Sequence, residues 1–508
     1  MNHPTFKQVA LIILDGWGHR EDAKDNAVAA AKTPVFDHIW ETNPRSLLQA
    51  SGEAVGLPEG QMGNSEIGHT TIGAGRPLAT DLVRINKAIS DGTFAENETI
   101  NILFAHVAEH GSTLHIFGQT SDGGVHSHHG HLFGLLRAAK QKGVTRIAIH
   151  AFTDGRDTAP QSGSGYLKEL EAVLEEVGIG RIASLSGRYY AMDRDNNWHR
   201  LAKVEDAIYH GTAPSHRQKP SEVVAELYKL DKVDEHLEPI VFLDETGKTT
   251  TLEKHDACFV FNFRSDRARL LTIRLQEKAK ELDLLVGTMT QYDPTYSVLV
   301  AFPPQTIETT LAAEVSAAGL TQAHLAETEK FPHATYFLNG GREKPHEGEV
   351  HVMLDSRKDV ATHDQAPEMR AEAIADKAIE QINEGKNFIF INFANPDMVG
   401  HTANVPAIIT ALQVVDAQLG RVLTALQENG GVALVTADHG NAEINIDQAT
   451  GERHTAHTLS LVPCILVGAP AGNQVRAEGT LADLAPTTLS LLGLKTPESM
   501  TGTSLLEN

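Results

Sequence analysis

Apolar residues along this chain come mostly in short unbroken runs, and each run gives way to a polar cluster rich in Gly, Asp, Arg or His. The first, Val9-Ala10-Leu11-Ile12-Ile13-Leu14, lacks alternation and so reads as a strand buried on both faces. Asp15-Gly16-Trp17-Gly18 reads as the loop leaving its C-terminal end. Thr33-Pro34 opens a helix, since proline is tolerated in a first turn. From about residue 80 the patterns alternate, with strands predicted at Leu114–Gly118, Arg146–Phe152, Arg181–Leu185 and Cys258–Phe263 and helices at His131–Lys142 and Gly163–Val177. Tyr292–Gln305, polar, aromatic and carrying Phe302-Pro303-Pro304, reads in part as a crossing between domains. Alternation resumes with a strand at Asn387–Phe393, a long amphipathic helix at Val405–Asn429, and strands at Gly431–Thr436 and Cys464–Val467. The pattern predicts an α/β protein with mostly parallel sheet and helices on both faces. The polar clusters fall just after strands, where open α/β sheets place their ligands.

Length and charge narrow the function. A chain of 508 residues exceeds one simple core, so at least two domains are expected. The formal net charge of -23 argues against a protein that grips nucleic acid or lies on an anionic membrane. Cys258 and Cys464 sit in apolar runs and are expected to be buried thiols rather than a disulfide. The run Val9–Leu14 is too short for a signal or a membrane span and ends in Asp15, so the cytoplasm is the expected compartment.

The candidate chemistry centres on Gln61-Met62-Gly63-Asn64-Ser65-Glu66-Ile67-Gly68-His69. Ser65, between glycines and before helix-compatible residues, is either a helix N-cap or a nucleophile awaiting activation. Asp15, Asp397-x-x-x-His401, Asp438-His439 and His457 each follow or precede a predicted strand. Singly, each reads as turn chemistry or a structural histidine. Together they point to a metal site, whose O/N donors without thiolate suit Mn2+, Zn2+ or Mg2+ and suffice for two ions. Arg156, Arg188, Arg194, Arg264 and Arg267 lie after strands in the middle of an acidic chain, either as forks for an anion or as salt-bridge partners of Asp154, Asp193, Asp195 or Asp266. Asp157 is either a base beside Arg156 or a turn residue. In Val125-His126-Ser127-His128-His129-Gly130-His131, only His126 is expected to face the cleft, the other histidines capping or solvated.

Seven blocks carry a resemblance. Ile13-Leu14-Asp15-Gly16-Trp17-Gly18, Met62–His69, Ser121-Asp122-Gly123-Gly124-Val125-His126, Thr153-Asp154-Gly155-Arg156-Asp157, Gly187–Arg194, Asn262–Arg267 and Asn395–His401 resemble, in one order and nearly end to end, the cofactor-independent phosphoglycerate mutases of the alkaline-phosphatase-like metalloenzymes. The resemblance implies a three-layer α/β/α phosphatase-like domain over residues 1–79 and 307–508, with an α/β substrate-binding domain, 80–306, inserted into it. It implies Asp397, His401 and His457 as ligands of one divalent ion and Asp15, Ser65, Asp438 and His439 as ligands of another, with Mn2+ the expected metal. Here the spacing to Val462-Pro463 favours His457 over His454. It further implies substrate contacts from His126, Arg156, Asp157, Arg188, Arg194, Arg264, Arg267 and Lys330, the last also a catalytic group, and Asp157 as general acid/base. Family members often have Pro where Ser265 stands, a departure that touches loop stiffness. The expected reaction interconverts 3-phosphoglycerate and 2-phosphoglycerate through a phosphoserine on Ser65, without a bisphosphoglycerate cofactor, in a monomer whose domains close to exclude water.

Overall fold

The computed structural model describes residues 5–507 apart from 308, 448, 471 and 473. It divides the chain into two compact units, one formed by the residues up to Thr80 together with those from Gln305 onward, the other by Asp81–Pro304. Each unit is built on a mixed sheet of eight strands.

In the first unit the strand order is Glu349–Leu354, Gln322–Glu327, Phe388–Phe393, Val9–Leu14, Val432–Thr436, Val462–Val467, Arg45–Gln49 and Glu478–Thr480. The first five run parallel. Val462–Val467 is antiparallel to both its neighbours, and Glu478–Thr480 runs parallel to Arg45–Gln49. The central strands are buried along their whole length, which is why they read as unbroken apolar runs. Parallel strands end on one edge of a sheet, so Asp15, Lys330, Asp397 and Asp438 are all delivered to the same edge. The helix Val405–Glu428 is apolar and long enough to cross a membrane by composition alone, but it places Ile408, Ala411, Leu412, Val415, Leu419 and Val422 in the core with the strand residues.

The second unit orders its strands Leu299–Phe302, Leu285–Thr290, Ala257–Val260, Leu114–Gln119, Ile147–Thr153, Arg181–Gly187, Ile240–Phe242 and Ser215–His216, all parallel as far as Arg181–Gly187. Ile240–Phe242 then runs antiparallel. The expected strand Cys258–Phe263 stops at Val260 because the next position of the ladder is filled by a side chain, the Asn262 amide oxygen accepting from Gln119 N at 3.0 Å. Within Tyr292–Gln305 the structure finds a strand, Leu299–Phe302, and the crossing starts only after Pro303 and Pro304. The helix expected from His131 begins at His129, because the His128 ring accepts from Gly130 N at 3.1 Å and caps it. Of the histidines expected to cap or be solvated, His128 does cap, but His129 and His131 do neither: both are buried, and His131 Nε2 lies 2.9 Å from Asn86 Oδ1. Cys258 and Cys464 are buried free thiols.

Glu327 ends its strand in the core, with Oε1 accepting from Arg370 N at 2.8 Å. Burial pushes its carboxyl up from 4.5 to about 7. Between those values the folded chain holds a proton that the unfolded chain releases, so stability falls as pH rises through that window and the loss is complete above about pH 7. Glu327→Gln is expected to be more stable than wild type by about 1–3 kcal/mol at pH 8, with the difference vanishing near pH 4.5. Urea unfolding across this range checks it.

Candidate active site

Ser65 is the first residue of the helix Ser65–Ala74, and the cap is Asn64, whose side chain accepts from Ile67 N at 2.9 Å. With the capping position taken by its neighbour, the Ser65 hydroxyl is free for other partners. Its Oγ lies 2.6 Å from Lys330 Nζ, 2.9 Å from His439 Nε2 and 3.4 Å from Asp15 Oδ1. Lys330 Nζ also donates to Asp15 Oδ1 at 2.8 Å and Asp397 Oδ2 at 2.6 Å. The close approach of two loops makes this possible. Gly16, at φ +78°, has no room for a Cβ, which would lie 2.8 Å from Asp397 Cα.

Asp397 Oδ1, His401 Nε2 and His457 Nε2 form a nearly equilateral triangle with sides of 3.3, 3.3 and 3.2 Å. His401 Nδ1 donates to the Thr455 carbonyl and His457 Nδ1 to the Gly63 carbonyl, at 2.8 and 2.9 Å, so both rings turn Nε2 toward the carboxylate. A divalent cation is the natural complement of three such atoms. His454 takes no part; its backbone N–H bonds Asn445 O. A second group surrounds His439, whose Nε2 lies 3.5 Å from Asp15 Oδ1 and 3.6 Å from Asp438 Oδ2. Asp438 Oδ2 is buried without a hydrogen bond, an orphan that a cation would satisfy.

The electrostatics agree. Burial alone would lower the Lys330 ammonium, but Asp15, Asp397 and Asp438 outweigh it and hold the group raised and charged. Against the cost of burial, Lys330 together with His401 and His457 holds Asp397 well below the usual carboxylate range. His439 and His69 do the same for Asp438. Asp15 is raised by burial and by the Asp438 charge. Three buried carboxylates against one ammonium leave a local deficit of positive charge. Ser65, Lys330, Asp397, His401 and His457 line an open cavity of about 480 Å³.

In the second unit the arginines do gather. Arg188 is buried and its Nη1 donates to Asp154 Oδ1 at 2.7 Å and Asp157 Oδ2 at 2.5 Å. Arg194 and Arg264 share Asp266, at 3.3 and 3.2 Å, so for these three the ion-pair reading describes the contacts. Arg267 instead donates to the Met192 carbonyl at 3.0 Å, its pKa lowered by burial and by the like charges of Arg188, Arg194 and Arg156. Arg156, Arg188 and Arg267 line a cavity of about 440 Å³ together with Arg200, which sequence reasoning missed. Arg200 donates to Asp193 at 2.9 Å and stacks over Tyr189. His126 sits between Asp157, 3.8 Å away, and Asp266, 3.4 Å away. Burial and the Arg188 charge bring it down to about 4, so it is neutral at physiological pH.

Residues 7–496 match the Metalloenzyme superfamily. The chain is 48% identical to the 2,3-bisphosphoglycerate-independent phosphoglycerate mutase of Haloarcula marismortui, over 98% of this chain and 99% of that protein. It is 45% identical to the enzyme of the same name from Clostridium beijerinckii, over 99% of each. It superimposes on a crystal structure of Leishmania mexicana phosphoglycerate mutase at low cobalt concentration with a TM-score of 0.55 and 31% identity, covering 100% of both chains. The chain belongs to the 2,3-bisphosphoglycerate-independent phosphoglycerate mutase family. It is thus an isomerase of a metalloenzyme superfamily, and the donor set just described fits a metal.

Three further residues of this mutase-family site went unrecognised in the sequence. Asn392 Nδ2 donates to Asp15 Oδ2 at 2.8 Å, Asn441 Nδ2 to Asp397 Oδ1 at 2.8 Å, and His69 Nδ1 lies 3.2 Å from Asp438 Oδ2. The available signal for Asn392 was an amide inside the otherwise apolar run Phe388–Phe393.

Proposed function

We propose that this chain interconverts 3-phosphoglycerate and 2-phosphoglycerate by passing the phosphoryl group through Ser65, without a bisphosphoglycerate cofactor. The observation that carries the reading is the Ser65 hydroxyl, released from capping and held 2.6 Å from a buried, charged Lys330 beside a ring of metal-type donors. Two divalent ions, Mn2+ by preference, would be held by Asp397, His401 and His457 and by Asp15, Ser65, Asp438 and His439, and would supply positive charge to the hydroxyl and the phosphoryl oxygens.

With the ions bound, Ser65 would enter the cycle as the alkoxide, its proton already lost to solvent. Oγ attacks phosphorus in line, its bond to phosphorus forming as the bond to the glycerate oxygen breaks, and it leaves again as the alkoxide in the return step. Lys330 Nζ orients Oγ and donates to the oxygens on which charge grows. Asp157 gives a proton to the departing glycerate oxygen and takes one from the neighbouring hydroxyl in the return step. His126, neutral, serves as a hydrogen-bonding partner of the substrate. Arg264 and Arg267 are assigned the carboxylate, and Arg156, Arg188 and Arg194 the remaining negative charge. One chain carries every group named, so a monomer suffices.

The test is product analysis. With 3-phosphoglycerate and no added bisphosphoglycerate, 2-phosphoglycerate is expected, with little free phosphate. Chelation should abolish turnover and Mn2+ restore it. Free phosphate as the main product would make the protein a phosphomonoester hydrolase, and activity surviving in metal-free protein would remove the metals from the mechanism.

A further inference from the structure

The Phe388–Phe393 strand holds one polar side chain, Asn392, and it is wholly buried. Its Nδ2 lies 2.8 Å from Asp15 Oδ2 and 3.1 Å from His69 Nε2. An ionised carboxylate only accepts, so the amide nitrogen rather than the amide oxygen must face Asp15. The second amide hydrogen is then directed at His69 Nε2, which makes that ring nitrogen an acceptor. In a neutral imidazole the proton must sit on the other nitrogen, Nδ1. His69 Nδ1 lies 2.9 Å from the Ser65 carbonyl and 3.2 Å from Asp438 Oδ2. The ring is held edge-on against Phe390, and both Asn392 and His69 are shut off from solvent.

We propose that Asn392 and His69 form a positioning relay, in which Asn392 locks His69 as its Nδ1–H tautomer and so ties Asp15 to the Ser65 turn. Neither residue touches the substrate in this scheme. His69 is close enough to Asp15 and Asp438 to have completed a metal site with them. The relay excludes that: Nδ1 has no free lone pair, and Nε2 is committed to Asn392. His69 is a donor that fixes the backbone of the nucleophile and leaves Asp438 Oδ2, 3.2 Å away, open to a cation. The relay links two groups from separate parts of the chain, namely the loop after Val9–Leu14 and the first turn of Ser65–Ala74. Where it matters for metal binding, the proposal rests on Asp15 and Asp438 holding a divalent ion; the tautomer itself does not.

The experiment uses the full chain labelled with 15N-histidine. In metal-free wild type, long-range 1H–15N spectra should show His69 protonated on Nδ1, with the signal assigned by its loss in His69→Asn. In Asn392→Leu, the Nε2-protonated form should appear, and Mn2+ affinity measured by calorimetry should fall roughly 10–100-fold, as for other groups that orient metal ligands. His69→Asn, which keeps an N–H donor near the place of Nδ1, should retain near wild-type Mn2+ affinity. His69→Gln, which mimics Nε2, should lose it. An Nε2–H tautomer in wild type overturns the relay, as does equal weakening in the Asn and Gln variants. If Asn392→Leu does not fold, the wild-type spectrum and the His69 pair still decide. A wild type that lacks mutase activity but shows the Nδ1–H tautomer refutes the proposed function alone; an active wild type with the Nε2–H tautomer refutes the relay alone.

Discussion

Ser65→Ala is expected to lower mutase turnover by roughly 10⁴–10⁶-fold, the scale on which removal of a nucleophile acts. The loss should fall on phosphoryl transfer itself, so no labelled phosphate should appear on the protein in a single turnover. Stability should scarcely change, by about 1 kcal/mol or less, the net worth of a typical hydrogen bond. The reason is local. Asn64, not Ser65, caps the helix, and the cap bond to Ile67 N survives the substitution. Lys330 loses the hydroxyl at 2.6 Å but keeps Asp15 and Asp397. A variant within about tenfold of wild type is incompatible with a nucleophile, whose loss costs far more.

Lys330→Met is expected to show the largest stability effect. In metal-free protein it removes the ammonium that lies 2.8 Å from Asp15 and 2.6 Å from Asp397 and whose charge also acts on Asp438. Stripping one partner from a buried ion pair costs about 3–5 kcal/mol, because the remaining charge has no compensation. Saturating Mn2+ should return much of that stability, since a ligand that binds only the folded state stabilises it. Mutase activity should stay low in both conditions, because the donor to Ser65 Oγ is gone. Urea unfolding with and without Mn2+, at neutral pH, measures the effect. Equal metal-free stability of variant and wild type would mean that the three carboxylates are not held together as charges.

How far the chain can be read without its fold depends on the range of the signal. The Val9–Leu14 strand, the Gly163–Val177 helix and the Val405–Glu428 helix were all legible, because burial imposes a period on neighbouring residues. The strand Leu299–Phe302 was not, since a short half-buried run beside two prolines leaves no clear period. Nor was the helix start at His129, where a histidine does what Ser, Thr, Asp or Asn usually does. The antiparallel strands that make both sheets mixed also escaped, because strand direction is a property of pairing.

The site divides in the same way. Residue types at strand ends were enough to mark Asp15, Asp397, His401, Asp438, His439 and His457 as candidate metal donors, and the resemblance supplied Lys330, which no local pattern marks. The arginines were recognisable as a set, but their individual partners were not. Arg188 turns out to be buried against Asp154 and Asp157, whereas Arg267 donates to a carbonyl and lies among other positive charges. Sequence by itself determined the α/β class, the buried strands and the kinds of group that stand at their ends, since those follow from hydrophobic period and residue chemistry. Tertiary structure alone decided that Asn64 takes the cap and leaves Ser65 free, and that Asn392 lies against Asp15 and His69 against the Ser65 carbonyl. The reason is that such choices depend on distances between residues far apart in the chain, Ser65 and His439 being 374 positions apart and 2.9 Å from contact to contact, and parallel strand register sets those distances.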